Sequence, residues 1–491
     1  MRRIGRSAAS LAALEPLPWG VLFATGLLVF FAAWGQRELN GTSAFYAALS
    51  RQIAETGVWS PILHGEHPYV LKPPLQFWLT ALTFELFGPT VTAATLWSRL
   101  FGLGCILLTA DLGRRLFGPA AGFFAALTLV ANVTLIENSN KFRLDAPLLF
   151  GILLSMRAGL VVGGRWRPPA FYGGVVLAFL SKGVPGLLPL VVVPLHAWWS
   201  GRWTPPWRPA ARPWLVWALL LALPVLWYAD QYQRLGDWLF QQLAGDATRA
   251  ENRTLLGYIE SALYQYILSP ALRWFPFSPF MLWGLARAVR EARSSGAEGA
   301  QRGLARALLF WVVLVMLVLF AKKTHRMRYL LLILPPLALL GGREIAQLLG
   351  DQVPRRVSQV VIAGLGVAAL VLASGLPRPD EHEGLAAVGV MERVLDAELG
   401  PSSVPAPLLL PNGAVFRFGA SQNAPADWTY FHLGRWVEPL HPGDLPQAAT
   451  ARGSHYLVDM HHFDELTGTL PLRVITRSRS MALVAWLPDG H

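Results

Sequence analysis

The chain carries 42 basic residues, yet only five are lysines: Lys72, Lys141, Lys182, Lys322 and Lys323. A lysine ammonium is a compact point charge suited to a phosphate oxygen. Two of the five open the run Lys322-Lys323-Thr324-His325-Arg326-Met327-Arg328, squeezed between apolar stretches. A second cluster, Phe142-Arg143-Leu144-Asp145-Ala146-Pro147, sets a carboxylate beside an arginine at the mouth of another apolar run. Asp145 there is either a general base or the negative charge favoured at a helix N-terminus, which stabilises by about 0.3–1 kcal/mol. Pro147 falls in the first turn, where proline is tolerated. Glu38, Glu55 and Glu66 lie in one outer segment with His64 and His67. His64-Gly65-Glu66-His67 has metal-ligand residue types, but ligands three apart on an irregular loop read better as polar loop residues. His461, His462 and Asp464 read as polar groups facing water, and Asn40-Gly41-Thr42 as a chance match to a glycosylation acceptor. The chain has no glycine-rich dinucleotide fingerprint, no Walker loop and no Gly-x-Ser-x-Gly elbow. Any group it transfers must therefore arrive already activated.

The elements that must hold these residues follow from composition. Of 491 residues, 53% are hydrophobic and 15% charged, against roughly 25% charged in soluble domains. That excludes a soluble enzyme, a disordered chain and a fibre. It leaves an all-α polytopic membrane protein with about eleven spans, near 18–34, 92–112, 118–137, 144–163, 169–181, 184–200, 213–229, 270–288, 304–321, 328–346 and 359–375. The net charge of +12 is supplied mostly by arginines between spans, which reads as topogenic charge and not as a nucleic-acid footprint. The sole cysteine, Cys105, sits inside an apolar run, so no disulfide framework can form within the chain. The basic N-terminus reads as an uncleaved cytoplasmic anchor. From there, arginines mark every second loop (Arg114, Arg165, Arg202, Arg290, Arg343 and their neighbours).

The outer segments are then 35–91, 230–269 and everything after 376. Within the first, 73–88 reads as a helix lying on the membrane surface. The expected division is a transmembrane domain over 1–375 and a small extracytoplasmic α/β domain over 376–491. The latter has a periodic segment at 384–399 and short apolar runs at 406–410, 414–418, 456–460 and 481–487. All five lysines fall on the outer side, where the topology signal wants few cations. Snorkelling to lipid headgroups would account for one of them. Five gathered on one face point to a shared anionic ligand, most simply the phosphate of a lipid.

These motifs resemble the C-type, polyprenyl-phosphate-dependent membrane glycosyltransferases, in particular the lipid A aminoarabinose transferase and protein O-mannosyltransferase-like group. The resemblance covers roughly 15–345. It rests on TGVWSPILHGEHPYVLKPPLQFWLTALTFELFG at 56–88, on Phe142 to Pro147, on Leu180-Ser-Lys182-Gly-Val-Pro-Gly, and on the stretch from Lys323 through Tyr329-Leu-Leu-Leu-Ile-Leu-Pro335-Pro336. It implies a multi-span fold with a cavity opening to the outer leaflet, and transfer of one sugar from a polyprenyl phosphate to an acceptor outside the cytoplasm. By that likeness Asp145 takes the acidic position of the second outer loop, and Lys72 the lysine that holds lipid phosphate. The chain departs from the pattern at Thr42-Ser43, where the group usually has Asp-Glu, and at Leu71, usually glutamate. Glu38 is then the candidate replacement carboxylate.

The expected chemistry is a single inverting displacement. Asp145, with Glu38, is the catalytic candidate. Lys72, Arg143, Lys182, Lys322, Lys323, His325, Arg326 and Arg328 are candidates for the phosphate, with Tyr46 and Tyr69 also counted as substrate-binding. No cofactor is expected, a divalent metal being the alternative. The expected partners are a polyprenyl-phosphate-linked sugar, an extracytoplasmic acceptor and membrane lipid, with no nucleic acid. The expected setting is the bacterial inner membrane, N-terminus cytoplasmic and C-terminal domain periplasmic. Competing readings are a relative that binds a lipid-linked sugar without transferring it, and a transporter, which calls for mid-span charge pairs and broken helices in matching halves.

Overall fold

The computed structural model describes residues 19–31, 39, 41–161, 167–201, 214–248, 254–294, 299–322, 325–349, 388, 390–397, 399, 406–409, 425–433, 437–440, 455–460, 463–478 and 481–486. Among them, two helices are long and apolar enough to cross a membrane by length and composition alone, Val91–Phe117 (α4) and Gly299–Ala321 (α15). A third span is counted if Pro119–Val130 (α5) and Val133–Ser139 (α6) are taken together, although they meet at 61°. The expected span at 359–375 lies outside the described residues.

Several runs that hydropathy reads as continuous are in fact broken. At 118–137 the chain bends because Asn132 stops α5 and caps α6, its Oδ1 accepting from the Leu135 amide at 3.0 Å. Such side-chain capping satisfies one of the amides orphaned at a helix start. The boundary expected between 169–181 and 184–200 is present: Arg167–Lys182 (α8) ends at Gly183, whose φ of +77° suits glycine. A 3-10 turn over Val184–Leu187 follows before Leu188–Trp199 (α9). The 270–288 run divides into Ser269–Arg273 and Ser278–Arg293, and 328–346 opens with a 3-10 turn, Met327–Leu332, before Leu334–Leu349 (α16). Segment 230–269 is helical for most of its described length, ending in the helix Leu255–Leu263 and a π turn, Tyr264–Leu268.

Asp145–Leu160 (α7) and α8 run antiparallel, so the first residue of one and the last of the other share an end. They approach closely because both present glycine. A Cβ on Gly151 would lie 2.6 Å from the Gly174 carbonyl, and one on Gly174 would lie 2.5 Å from the Gly151 carbonyl. Replacing Gly174 with valine must push the helices apart, at a cost of about 1–3 kcal/mol. It should lower the thermal stability of the detergent-purified protein. The far end of α7 is held by Asp111 of α4, which accepts from Arg157 at 2.8 Å and from Arg114 and Arg115 at 2.7 and 2.8 Å.

Residues 41–87 build their own core with the C-terminal segment. Gly41–Thr56 (α2) and Leu75–Phe87 (α3) bury Leu49, Ile53, Phe77 and Phe84 together with Phe431, Leu408, Leu457 and Leu483. The sheet beside them has strand order β4-β3-β5-β7-β6, with β3 (Ala406–Leu409), β4 (Val437–Leu440), β5 (His455–Asp459), β6 (Leu472–Arg477) and β7 (Met481–Trp486). β3 pairs parallel with both β4 and β5, while β7 pairs antiparallel with β5 and β6. Strand alternation divides β5 between two cores: Leu457 joins the core of α2 and α3, whereas Tyr456 and Val458 pack on Phe463 and Leu466.

The helix Pro425–Leu433 ties this sheet to α2. The Tyr430 hydroxyl donates to Glu55 at 2.6 Å, Arg51 donates to the Phe431 carbonyl at 2.8 Å, and His432 Nε2 lies 3.1 Å from the Leu39 carbonyl, to which it donates. Burial pushes the imidazole down from its ordinary 6.5 to about 4, with the Leu39 carbonyl pulling the other way and Arg51 adding to the depression. The unfolded chain therefore binds the extra proton first. The contact is fully stable above about pH 6.5 and weakens as pH falls toward 4. Hydrogen exchange of α2 should accelerate across that interval, and His432→Gln should flatten the response.

Candidate active site

Asp145 begins α7 and is only 6% exposed. Its Oδ1 accepts from Lys182 Nζ, the last residue of α8. The approach loop is set by Ser98 of α4, whose Oγ accepts from the Arg143 amide at 3.2 Å and donates to the Arg143 carbonyl at 3.0 Å. Beyond the pair lies the ring of Tyr329, with three cations around it: Lys182 Nζ at 4.9 Å, Lys322 Nζ at 5.4 Å and the Arg328 guanidinium at 5.5 Å from its centroid. Attraction of a cation to an aromatic face is worth about 0.5–2 kcal/mol. The ring therefore keeps three like charges in one place, where repulsion would otherwise disperse them.

Asp145, Lys182, Lys322, Arg328 and Tyr329 line a cavity of about 280 Å³. Its other walls are apolar, from Leu188 and Val191 of α9 and Leu314, Val318 and Leu319 of α15. The charged residues sit at helix ends, and the apolar ones continue along the helices away from them. Val191 and Val318 also remain exposed, so the cavity opens to the side of the bundle. Charge at one end and a hydrocarbon-lined channel at the other match an amphiphile with an anionic head.

The other candidates divide into three groups. Tyr46 is buried among Phe77 at 5.3 Å and Phe142 at 5.9 Å, and its hydroxyl reaches Tyr69. Burial pushes that phenol up to about 12 against the pull of Arg143 and Arg328, so it stays a neutral donor at the edge of the cationic cluster. Arg143 is held below its usual value by burial and by Arg328, while Asp145 pulls it back, and it remains a cation. Lys72 is half-buried, and Pro73 beside it comes 3.9 Å from the position of a Cβ on Gly183, which brings the 72–73 turn against the end of α8.

His325 is not among the cavity-lining residues. It is buried with its ring against Tyr258 at 4.6 Å and Tyr266 at 5.2 Å, a packing role in place of the expected phosphate contact. Arg326 is exposed, and its carbonyl accepts from the Tyr329 amide at 3.0 Å. Lys141 is exposed. Glu38, Lys323, His461 and His462 lie outside the described residues. His64 is on a tight hairpin with its ring edge on Phe45 at 5.0 Å. Among the described residues, no three His, Cys, Asp or Glu side chains are grouped to hold a metal. Tyr329 went unrecognised as the centre of the cation cluster. Its one sequence signal is its place directly after the basic run.

The chain is similar in sequence and in fold to C-type membrane glycosyltransferases. Residues 71–228 match the family described as dolichyl-phosphate-mannose-protein mannosyltransferase. The chain is 26% identical over 452 residues to an undecaprenyl phosphate-alpha-4-amino-4-deoxy-L-arabinose arabinosyl transferase of Pseudomonas aeruginosa, covering 86% of this chain and 75% of that protein. A like-named transferase of Shewanella sediminis is 24% identical over 359 residues, covering 69% and 60%. The fold matches the crystal structure of ArnT from Cupriavidus metallidurans bound to undecaprenyl phosphate, with a TM-score of 0.64 and 20% identity over 97% of this chain and 99% of that one.

Proposed function

We propose that the protein is a multi-pass membrane glycosyltransferase that moves one sugar from a polyprenyl-phosphate carrier to an acceptor outside the cytoplasm, with inversion at the anomeric carbon. The observation that carries this reading is the cavity that begins at Asp145, Lys182, Lys322 and Arg328 and continues between the apolar faces of α9 and α15. A carrier lipid would place its phosphate among the cations and its isoprenoid tail along Val191, Leu314 and Val318. Likeness to arabinosyl transferases that use an undecaprenyl phosphate sugar supports the same donor class.

In the reaction, the acceptor oxygen bonds to the anomeric carbon as the bond from that carbon to the phosphate oxygen breaks, its electron pair leaving with the phosphate. The acceptor hydroxyl proton passes to a carboxylate, for which Asp145 is placed. Lys182, Lys322 and Arg328 offset the charge that gathers on the leaving phosphate, an interaction stronger in the transition state than in the ground state. Tyr46 and Arg143 bound the polar side, and Lys72 approaches from the outer loop. The broken apolar helices complete a bundle of about eleven spans, with the N-terminus cytoplasmic and the C-terminal sheet on the outer side. No site for a metal enters this scheme.

The test is transfer from a radiolabelled polyprenyl-phosphate sugar in proteoliposomes, comparing wild type with Asp145→Asn and Lys72→Ala. Loss of transfer in both is expected. Unchanged turnover in both would remove the mechanism.

A further inference from the structure

Lys182 faces two anion positions at once. Its ammonium donates to the Asp145 carboxylate, and the same ammonium is one of three cations around the Tyr329 ring, where the proposed carrier phosphate would lie. An ammonium has three donors on a flexible stem and can turn from one partner to the other. We infer that Asp145 competes with the carrier's phosphate for Lys182, and that this competition releases the spent carrier after sugar transfer. The inference rests on the donor class proposed above.

The chemistry of the carrier makes such a device necessary. A sugar-linked polyprenyl phosphate is a diester with one negative charge. Once the anomeric carbon–oxygen bond breaks, the carrier becomes a monoester with a charge of about −1.5 to −2 near neutral pH. A fixed cluster of Lys182, Lys322 and Arg328 would hold that product more firmly than the substrate, and turnover would stall on the spent lipid. Asp145 opposes this. A carboxylate this buried cannot lose its hydrogen-bonded cation at small cost, so every phosphate that takes Lys182 leaves Asp145 with only Arg143 and Arg328, neither of them its ion-pair partner, to offset its charge. The acceptor hydroxyl offsets that cost while it donates to Asp145. After transfer the acceptor departs, Asp145 gives the proton it accepted to water and, charged again, reclaims Lys182, and the phosphate is left with one cation fewer. The rigid packing of Gly151 against Gly174 keeps the carboxylate and the ammonium stem at one end of the helix pair, so neither can move off to settle the competition.

The experiment is a double-mutant cycle on the affinity of undecaprenyl phosphate for the full-length protein in detergent, measured by titration calorimetry for wild type, Asp145→Asn, Lys182→Gln and the double variant. Asp145→Asn should bind undecaprenyl phosphate about tenfold more tightly than wild type, within the range usual for coupled sites. In the Lys182→Gln background the same change should alter affinity by less than about twofold, since the shared cation is gone. An unchanged or weaker affinity in Asp145→Asn would overturn the inference. So would a gain that persists without Lys182, since that gain is direct repulsion between carboxylate and phosphate. Should Lys182→Gln fail to fold, a cryo-electron microscopy structure of wild type with undecaprenyl phosphate decides. The expected result is Lys182 Nζ on the phosphate and farther than about 4 Å from Asp145. An intact pair beside a bound phosphate would refute it. Wild type that binds no undecaprenyl phosphate would instead strike down the donor assignment itself.

Discussion

Asp145→Asn is expected to lower the turnover of sugar transfer by about a hundred- to ten-thousandfold, the range over which a positioned proton acceptor contributes. The substitution keeps the shape and removes the charge. It also leaves Lys182 without its ion-pair partner, although Tyr329 remains beneath the ammonium at 4.9 Å. Because the same change should tighten undecaprenyl phosphate, turnover and carrier affinity must move in opposite directions. A loss of folding would lower both. Steady-state transfer together with carrier binding therefore separates chemistry from collapse, and Asp145→Glu should restore little, since a longer side chain at the first turn of α7 displaces the carboxylate.

Arg328→Ala is the second large effect. Arg328 lines the cavity, lies 5.5 Å over Tyr329 and is close enough to Asp145 and Tyr46 to act on both. Removing one group that stabilises developing charge typically costs about 3–4 kcal/mol of barrier, roughly a hundred- to thousandfold in rate. The loss should fall on kcat, because charge on the phosphate oxygen is greatest as the carbon–oxygen bond breaks. Arg328→Lys should recover only part, as it keeps the charge and loses the planar fork. If instead KM alone rises while kcat holds, Arg328 only anchors the donor, and the leaving-group role passes to Lys182 and Lys322.

Much of the site was legible as residue types. Lys182, Lys322, Arg328 and Asp145 stand out because charge is rare in so apolar a chain, and because they crowd the face where the topology signal wants none. Their pairing was not legible. Asp145 and Lys182 are 37 positions apart, and what joins them is the close approach of α7 and α8 at Gly151 and Gly174, a contact that no local pattern encodes. His325 was read as a phosphate donor because it sits in the basic run, whereas two residues ahead of the 3-10 turn that leads into α16 its ring packs on Tyr258 and Tyr266. The helix breaks were hidden for a related reason. Hydropathy averages over a window, and Asn132 stops a helix as a single residue. The apolar wall of the cavity left no trace at all, because Val191 and Leu314 look like any other membrane-facing residues until a channel is found between them. In the tail, β3, β5 and β7 coincide with the apolar runs at 406–410, 456–460 and 481–487, and the run at 414–418 lies outside the described residues; β4 and β6 were missed, β4 because it is four residues long with a glutamate and a proline, β6 because it alternates weakly and carries a bulge between Val474 and Thr476.

The central claim, that the cation cluster at Tyr329 grips the phosphate of a carrier lipid, meets its most direct test in native mass spectrometry of the protein released from nanodiscs containing polyprenyl phosphate and bulk phospholipid. One polyprenyl phosphate should remain bound to wild type and be lost from Arg328→Ala and Lys322→Ala, with phospholipid adducts unchanged. Retention of bulk phospholipid alone, or a polyprenyl phosphate that survives both substitutions, would contradict the account.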